Sequence, residues 1–324
     1  MGEPAADPTV ARPLLKPWYR LSLEGGSAVL RYGGSVLEFE GRAARQLLPH
    51  LLPLLDGTLT VDDVVARLGE PVRPAIERAL DLLRERQLLT APLPGTLGAE
   101  ERQTLELLAA TDVSGRPAAE LLPRLAAAHA LVVGTGPTAA ELVRLLRASA
   151  VGTVTAHAWD EPPPAGAFAI VAPGAGEVPL VREWNRLALE HDAPWLQVLP
   201  FDGLVAAVGP LFVPGETACH ECYRLRRTAN VSPLADPGSP PAQGSFPTAP
   251  AVDGMLAALA ALSALRTLVL DDGELAGVVL AVELTPGLAC SRHMVYRVPR
   301  CPACSRAAAE APPLPWHGAA DVAA

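Results

Sequence analysis

The sequence predicts an α/β protein in two parts: a small N-terminal winged-helix-like module, then a Rossmann-like domain carrying a tetracysteine zinc site. Three observations predict it. Between Trp18 and Thr90, three short alternating runs are followed by three helical patterns. From His129, "HALVVGTGPTAAELVRLLRASAVGTVTAHAWD" reads as buried strand, glycine turn, amphipathic helix and second strand ending at Asp160, the opening of a doubly wound sheet. Two C-x-x-C pairs, Cys219/Cys222 and Cys301/Cys304, flank the later part of that domain.

In the front module, "YRLSLE", "AVLRYG" and "SVLEFE" alternate apolar and polar residues and break at Gly25-Gly26 and Gly33-Gly34, which predicts an antiparallel meander. "GRAARQLLPHLLPLLDG" places Leu47, Leu48, Leu51, Leu52 and Leu55 at helical spacing, with Pro49 and Pro53 making its later turns irregular. "TVDDVVARLG" has Thr60 as N-cap and two acidic residues in its first turn. "PVRPAIERALDLLRERQLL" puts Ile76, Leu80, Leu83 and Leu88 on one stripe. The boundaries expected are 18–92 for this module, 93–128 for a helical connection, 129–305 for the α/β domain and 306–324 for an Ala- and Pro-rich disordered tail.

After Asp160 the α/β domain continues through a strand at 168–173, a helix over 178–192 and a strand in "APWLQVLP". Residues 231–252 are dense in Pro, Gly, Ser and Ala and read as a loop. "MLAALAALSALRTLVL", residues 255–270, is shorter than the roughly 20 residues a membrane span needs and contains Arg266, so a buried helix is expected. Strands in "AGVVLAVELT" and "SRHMVYRV" precede the final C-x-x-C.

Composition narrows the function. A net charge of −9 without a clustered basic run argues against a nucleic-acid partner, because such affinity comes from neutralising phosphates. The N-terminus lacks a basic segment followed by an apolar one, which points to the cytoplasm, where five cysteines stay reduced. Of the 26 basic residues one is a lysine, Lys16, so no mechanism can use a lysine in the body of the protein.

A C-x-x-C turn lets two sulfurs face one ion at about 2.3 Å, and two such turns can complete a tetrahedron with no open position. A structural zinc is therefore the favoured reading of Cys219, Cys222, Cys301 and Cys304. A redox dithiol would need only one pair, and unrelated buried cysteines would require the repeated spacing to be accidental. Cys290, at a strand start, is given no role, and His157, His191, His220 and His293 have no partner visible in the sequence. Gly134, Gly136 and Ala139 match G-x-G-x-x-A, with Asp160 where an acidic residue could meet a ribose. The same glycines would serve a tight turn and close helix packing without any nucleotide.

Together, the glycine unit, the Asp160 strand end, "VGPLFVPGETACHECYRLR" and the late "CPAC" resemble the ThiF/MoeB-type adenylating fold. That family adenylates a carrier's C-terminus with ATP, using Arg and Lys on the phosphates and Asp on magnesium. Here "EPPPAGAFAIVAP" follows Asp160 in place of an Asn-x-x-Arg-Gln segment, and the domain has no lysine, so ATP is not expected to bind and Gly134, Gly136 and Asp160 are vestigial. With the front module added, the chain is similar to ocin-ThiF-like partner proteins of YcaO cyclodehydratases, which serve azole- and azoline-containing ribosomal peptide pathways.

The resemblance implies a PqqD-like element that binds a precursor's leader peptide as an added strand. Ser35, Val36, Leu37, Glu38 and Phe39 would supply the edge, and Leu80, Leu83, Arg73 and Arg84 part of the groove. Taken singly, these apolar positions read as core and the arginines as a solvated face. The partners it implies are the leader peptide, a separate YcaO subunit and a second copy through the ThiF-like domain, with no catalytic residue in this chain. An active adenylating enzyme is the alternative, and a zinc module for nucleic acid is disfavoured by the charge.

Overall fold

A computed structural model describes residues 12–24, 27–231, 247–285 and 287–305. The Gly25-Gly26 break, most of the predicted 231–252 loop and the tail from 306 lie outside the described residues. Chain contacts divide the protein into two compact units, Met1–Arg124 and Leu125–Ala324.

In the first unit the three alternating runs form an antiparallel sheet, β2 (Arg20–Glu24), β3 (Ser27–Tyr32) and β4 (Ser35–Phe39), in the order β2-β3-β4. Gly33, at φ +54, makes the two-residue turn that joins β3 to β4, where Tyr32 pairs with Ser35. The three helical patterns become α1 (Arg42–Leu51), α2 (Val61–Leu68) and α3 (Arg73–Glu85). Pro49 lies inside α1 and Pro53 in the 3₁₀ turn that ends it.

Sequence reading missed a two-residue pair, β1 (Leu14–Leu15) with β5 (Leu89–Thr90), too short to carry any periodicity. α4 (Ala99–Thr111) and α5 (Ala118–Ala127) follow. Leu30 and Phe39 from the sheet share one core with Leu51, Ile76, Leu80 and Leu83 from the helices.

Thr60 caps α2 as its sequence predicts. Its hydroxyl accepts from the Asp63 N–H at 3.2 Å, and the Asp63 carboxylate accepts the Thr60 N–H at 2.9 Å. Thr60→Ala is therefore expected to lower unfolding free energy by about 1 kcal/mol, read from the urea midpoint at unchanged slope.

The second unit is a seven-stranded sheet flanked by helices, in the order β12-β11-β10-β9-β8-β6-β7. β6 (His129–Val133), β7 (Thr153–His157), β8 (Phe168–Val171) and β9 (Trp195–Val198) are parallel. β10 (Val205–Phe212), β11 (Val278–Glu283) and β12 (Ala289–Met294) extend it antiparallel. β8 and β9 are buried along their whole length, as expected of parallel strands covered on both faces. From β6 the chain runs out to β7 and returns to β8 on the other side, so the loops after β6 and β8 meet at the reversal point where α/β sheets present sites.

The helices of this unit are α6 (Pro137–Ala148), α7 (Val181–Glu190), α8 (His220–Val231) and α9 (Pro250–Leu270). The apolar helix corrects one expectation: α9 begins at Pro250 and has 21 residues, long and apolar enough to cross a bilayer by length and composition. It packs against α6 and the sheet, burying Leu256, Ala260, Ala264 and Val269, so its hydrophobicity is that of a core helix. β7 ends at His157, and Asp160 lies in the turn beyond it.

Candidate functional site

The four predicted cysteines meet in the second unit. After β10, Val213 N–H donates to Thr217 Oγ1 at 2.8 Å and closes the Pro-Gly turn, which delivers Cys219 to the start of α8 and Cys222 to its first turn. After β12, Cys301 N–H to Val298 O and Ser305 N–H to Cys301 O fold a second turn around Cys301 and Cys304.

The sulfurs lie 3.9 Å apart for Cys219–Cys222, 3.8 Å for Cys219–Cys301 and 3.6 Å for Cys222–Cys304, and all four fall within 4.8 Å of one another. A tetrahedron of sulfurs at 2.3 Å from a central ion has edges of about 3.8 Å. The cluster thus has the size of a four-thiolate metal site. Cys219, Cys222 and Cys301 are buried. Burial raises the Cys219 thiol well above its ordinary value and Cys304 to about 11. Burial also opposes ionisation of Cys222, but hydrogen bonds led by the Val298 N–H at 3.3 Å outweigh it and lower that thiol. Ion binding would displace protons, so occupancy is expected to fall as the pH is lowered, which a metal-release titration reads.

The arginines behind the motif hold the frame together. Arg224 pairs with the buried Glu221 at 2.7 Å, and Arg226 donates to the carbonyls of Tyr296 and Arg297. Arg297 reaches Gly215 O at 2.7 Å and Cys304 O at 3.4 Å, linking the two cysteine turns. Cys290, read as a strand-start residue without a role, is exposed on β12.

Sequence reasoning left His220 without a partner. Its backbone N–H donates to Asn185 Oδ1 and its Nδ1 bonds Gln197 Oε1, both at 3.0 Å, while burial lowers its pKa to about 4. Asn185 and Gln197 lie inside predicted apolar elements, where only their burial marks them.

At the reversal point, Gly134 has φ +123, and a Cβ there would sit 2.1 Å from Ala172 O. No side chain fits, whatever the loop binds. Gly134→Ala is expected to destabilise the unit by several °C in Tm, because the obstacle is backbone and cannot step aside. Gly136, at φ +109, precedes α6, and Ala139 is buried as close packing requires. Asp160 is exposed, away from any hydrogen-bond partner among the described residues.

A residue that sequence reasoning did not single out occupies this loop. Glu177 Oε2 accepts the N–H groups of Thr135 and Gly174, each at 2.7 Å, and Oε1 accepts Thr135 Oγ1 at 2.9 Å and Trp159 Nε1 at 3.1 Å. Burial opposes its charge, but these bonds outweigh burial and lower its pKa. Beside the loop lies a cavity of about 330 Å³ walled by Thr135, Thr138, Pro173, Phe201, Thr248 and Asp253 among others, with no lysine or arginine among the described residues of its wall. The buried Asp253 carboxylate accepts from Thr138 Oγ1 at 2.7 Å and from Thr248 Oγ1 at 2.8 Å. With no cation among the described residues of this wall, a nucleotide phosphate here would have to be held by backbone donors.

In the first unit, β4 pairs with β3 alone among the described residues and leaves its other edge open. Ser35, Val36 and Glu38 are exposed, Leu37 is half-buried and Phe39 is buried. The predicted groove needs correction. Leu80 and Leu83 are each 1% exposed and belong to the core that the helices share with the sheet, so neither offers a free surface. Arg73 is held by Glu70 at 2.6 Å and Asp62 at 2.9 Å, and Arg84 by Asp81 at 2.5 Å.

The class defined here is a mixed α/β protein with N-terminal strands, a parallel-rich sheet and a four-cysteine cluster, similar to ThiF-like folds. No protein-family profile and no curated protein matches the chain. Among solved structures it is similar to a heterocyclase in complex with substrate and cofactor, at 22% identity and TM-score 0.65 over 90% of this chain and 39% of that one. The heterocyclase TruD is similar at 22% identity and TM-score 0.62, over 91% of this chain and 43% of its own. MccB of E. coli with ATP is similar at 14% identity and TM-score 0.61, over 90% of this chain and 99% of its own. At these identities the likeness is one of fold. The chain spans about two fifths of the heterocyclases it matches.

Proposed function

We propose that this chain binds the leader peptide of a ribosomally made precursor and presents the core peptide to a separate YcaO cyclodehydratase, which forms azoline rings from Cys, Ser or Thr with loss of water. Azoles then require a separate two-electron oxidation by a flavin-type dehydrogenase. The observation that carries this reading is the open edge of β4, where a peptide can add as a strand with backbone bonds for affinity and side-chain contacts for selectivity. The fold likeness to heterocyclases over nine tenths of this chain supports the setting, as does the likeness to MccB in complex with N-formylated MccA. Tethering the leader raises the effective concentration of the core peptide at the cyclising subunit.

In this reading the first unit is a PqqD-like element, and the four thiols hold a structural zinc that closes the second unit without reacting. The zinc supplies cross-linking alone, since four protein ligands leave no position for substrate.

Where a short Cys/Ser/Thr-rich precursor is encoded beside this chain's gene, a labelled synthetic copy of it should bind the isolated protein without ATP. An anisotropy titration that stays flat with every neighbouring precursor would end the proposal. One observation favours ATP-dependent adenylation instead: the match to MccB with ATP along 99% of that protein. Pyrophosphate exchange with ATP is the test that separates the two.

A further inference from the structure

Backbone N–H groups that converge beside a helix N-terminus form a nest for an anion, strengthened by the helix dipole. The second unit has such a nest where its sheet reverses direction. Thr135 N–H comes from the loop between β6 and α6, and Gly174 N–H from the loop after β8. Both point at one atom, Glu177 Oε2, while the Thr135 hydroxyl and the Trp159 indole hold the other oxygen. One carboxylate therefore collects four donors from three segments of chain.

The surroundings reinforce this occupancy. Among the described residues the neighbouring cavity has no cationic side chain in its wall, and it contains the buried Asp253 carboxylate, so a second anion entering beside Glu177 would meet two negative charges and no cationic side chain of that wall. The Thr135 and Gly174 N–H donors that a phosphate would use are already satisfied.

We infer that Glu177 is the resident ligand of this oxyanion nest: the chain supplies its own carboxylate where a nucleotide phosphate would otherwise sit, and the site is closed to external oxyanions. The inference is independent of leader binding, and its test uses no peptide. Removing the carboxylate should reopen the nest to a small oxyanion of matching shape. Glu177→Ala deletes a fragment close in size to acetate, so acetate and inorganic phosphate are the probes, each compared with chloride at equal ionic strength.

Two readings are taken on the full-length protein: Tm, and the Trp159 indole N–H resonance. The wild type should be indifferent to both probes. Glu177→Ala should melt lower in chloride, regain stability with acetate or phosphate in a saturable manner, and bind them about tenfold or more tighter than the wild type. Its displaced Trp159 resonance should return toward the wild-type position as acetate is added. If Glu177→Ala fails to fold, Glu177→Ser also removes the carboxylate from the nest, and acetate or phosphate should raise its Tm above the chloride value. The inference is overturned if the wild type binds phosphate as tightly as the variants do, or if the soluble variant gains nothing from either anion.

Discussion

Cys301→Ser is expected to abolish metal retention and to lower the melting temperature of the second unit by roughly 10 °C or more. Cys301 is fully buried, and its sulfur is 3.8 Å from that of Cys219, so serine would leave a three-thiolate site with a poor fourth ligand in a dry pocket. Structural zinc is worth on the order of 10 kcal/mol in small peptides, and losing part of that in a unit of this size shifts Tm by a few degrees for each kcal/mol. Elemental analysis of the purified wild type should give one zinc per chain. The exposed Cys290 supplies the control, since Cys290→Ser should leave both metal content and Tm unchanged. A metal-free wild type that melts as high as the zinc-loaded protein would remove the structural role. Reversible loss of Cys219 and Cys222 thiols to an oxidant, without metal, would point to a redox pair instead.

The second large effect is expected at the edge of β4. In a two-residue hairpin the closing pair, here Tyr32 with Ser35, is hydrogen-bonded, and bonding then alternates along the ladder. Ser35 and Leu37 therefore spend their backbone groups on β3, whereas Val36 and Glu38 turn theirs outward. Val36 is 58% exposed, so proline there removes an outward N–H without opening the internal ladder or the core. Val36→Pro and Glu38→Pro should each weaken leader binding about tenfold or more while Tm moves by only a few degrees. Leu37→Pro should instead break a bond to β3 and lower Tm. Wild-type affinity in both outward variants would exclude β4 as the peptide's edge, leaving the leader-binding reading to find another surface.

Much of the fold was legible because its signals are local. The alternation in 20–39, the leucine spacing of α1 and α3, and the Thr60 cap depend on neighbours a few residues away. What was missed had weak or misleading local signals. β10 contains Gly209-Pro210, which reads as a turn, yet the strand continues past it with a shift in register against β9. Gly209 is there because a side chain would meet Val278 O at 2.2 Å on the adjacent strand, a fact about β11 that the segment itself does not carry. α8 opens on His220 and Glu221, and its apolar pattern is broken by three arginines, of which Arg226 bonds to the distant carbonyls of Tyr296 and Arg297. Leu80 and Leu83 were legible as one face of a helix, but which neighbour covered that face was not.

By itself the sequence determined which chemistry was available: four thiols in two matched turns, a single lysine that precedes the α/β part in the sequence, and a glycine turn between strand and helix. Tertiary structure alone decided what those groups meet. Cys219 and Cys301 are separated by 82 positions in the chain and by 3.8 Å in space, a closure set by how β10, β11 and β12 pair. Glu177 reaches Thr135 across 42 positions because the strands before their loops, β8 and β6, are adjacent in the sheet. Residue type and short-range period are written along the chain, whereas the partner of a buried charge or thiol is set by packing between distant segments. The same glycine turn could have received a phosphate; the fold brings it Glu177.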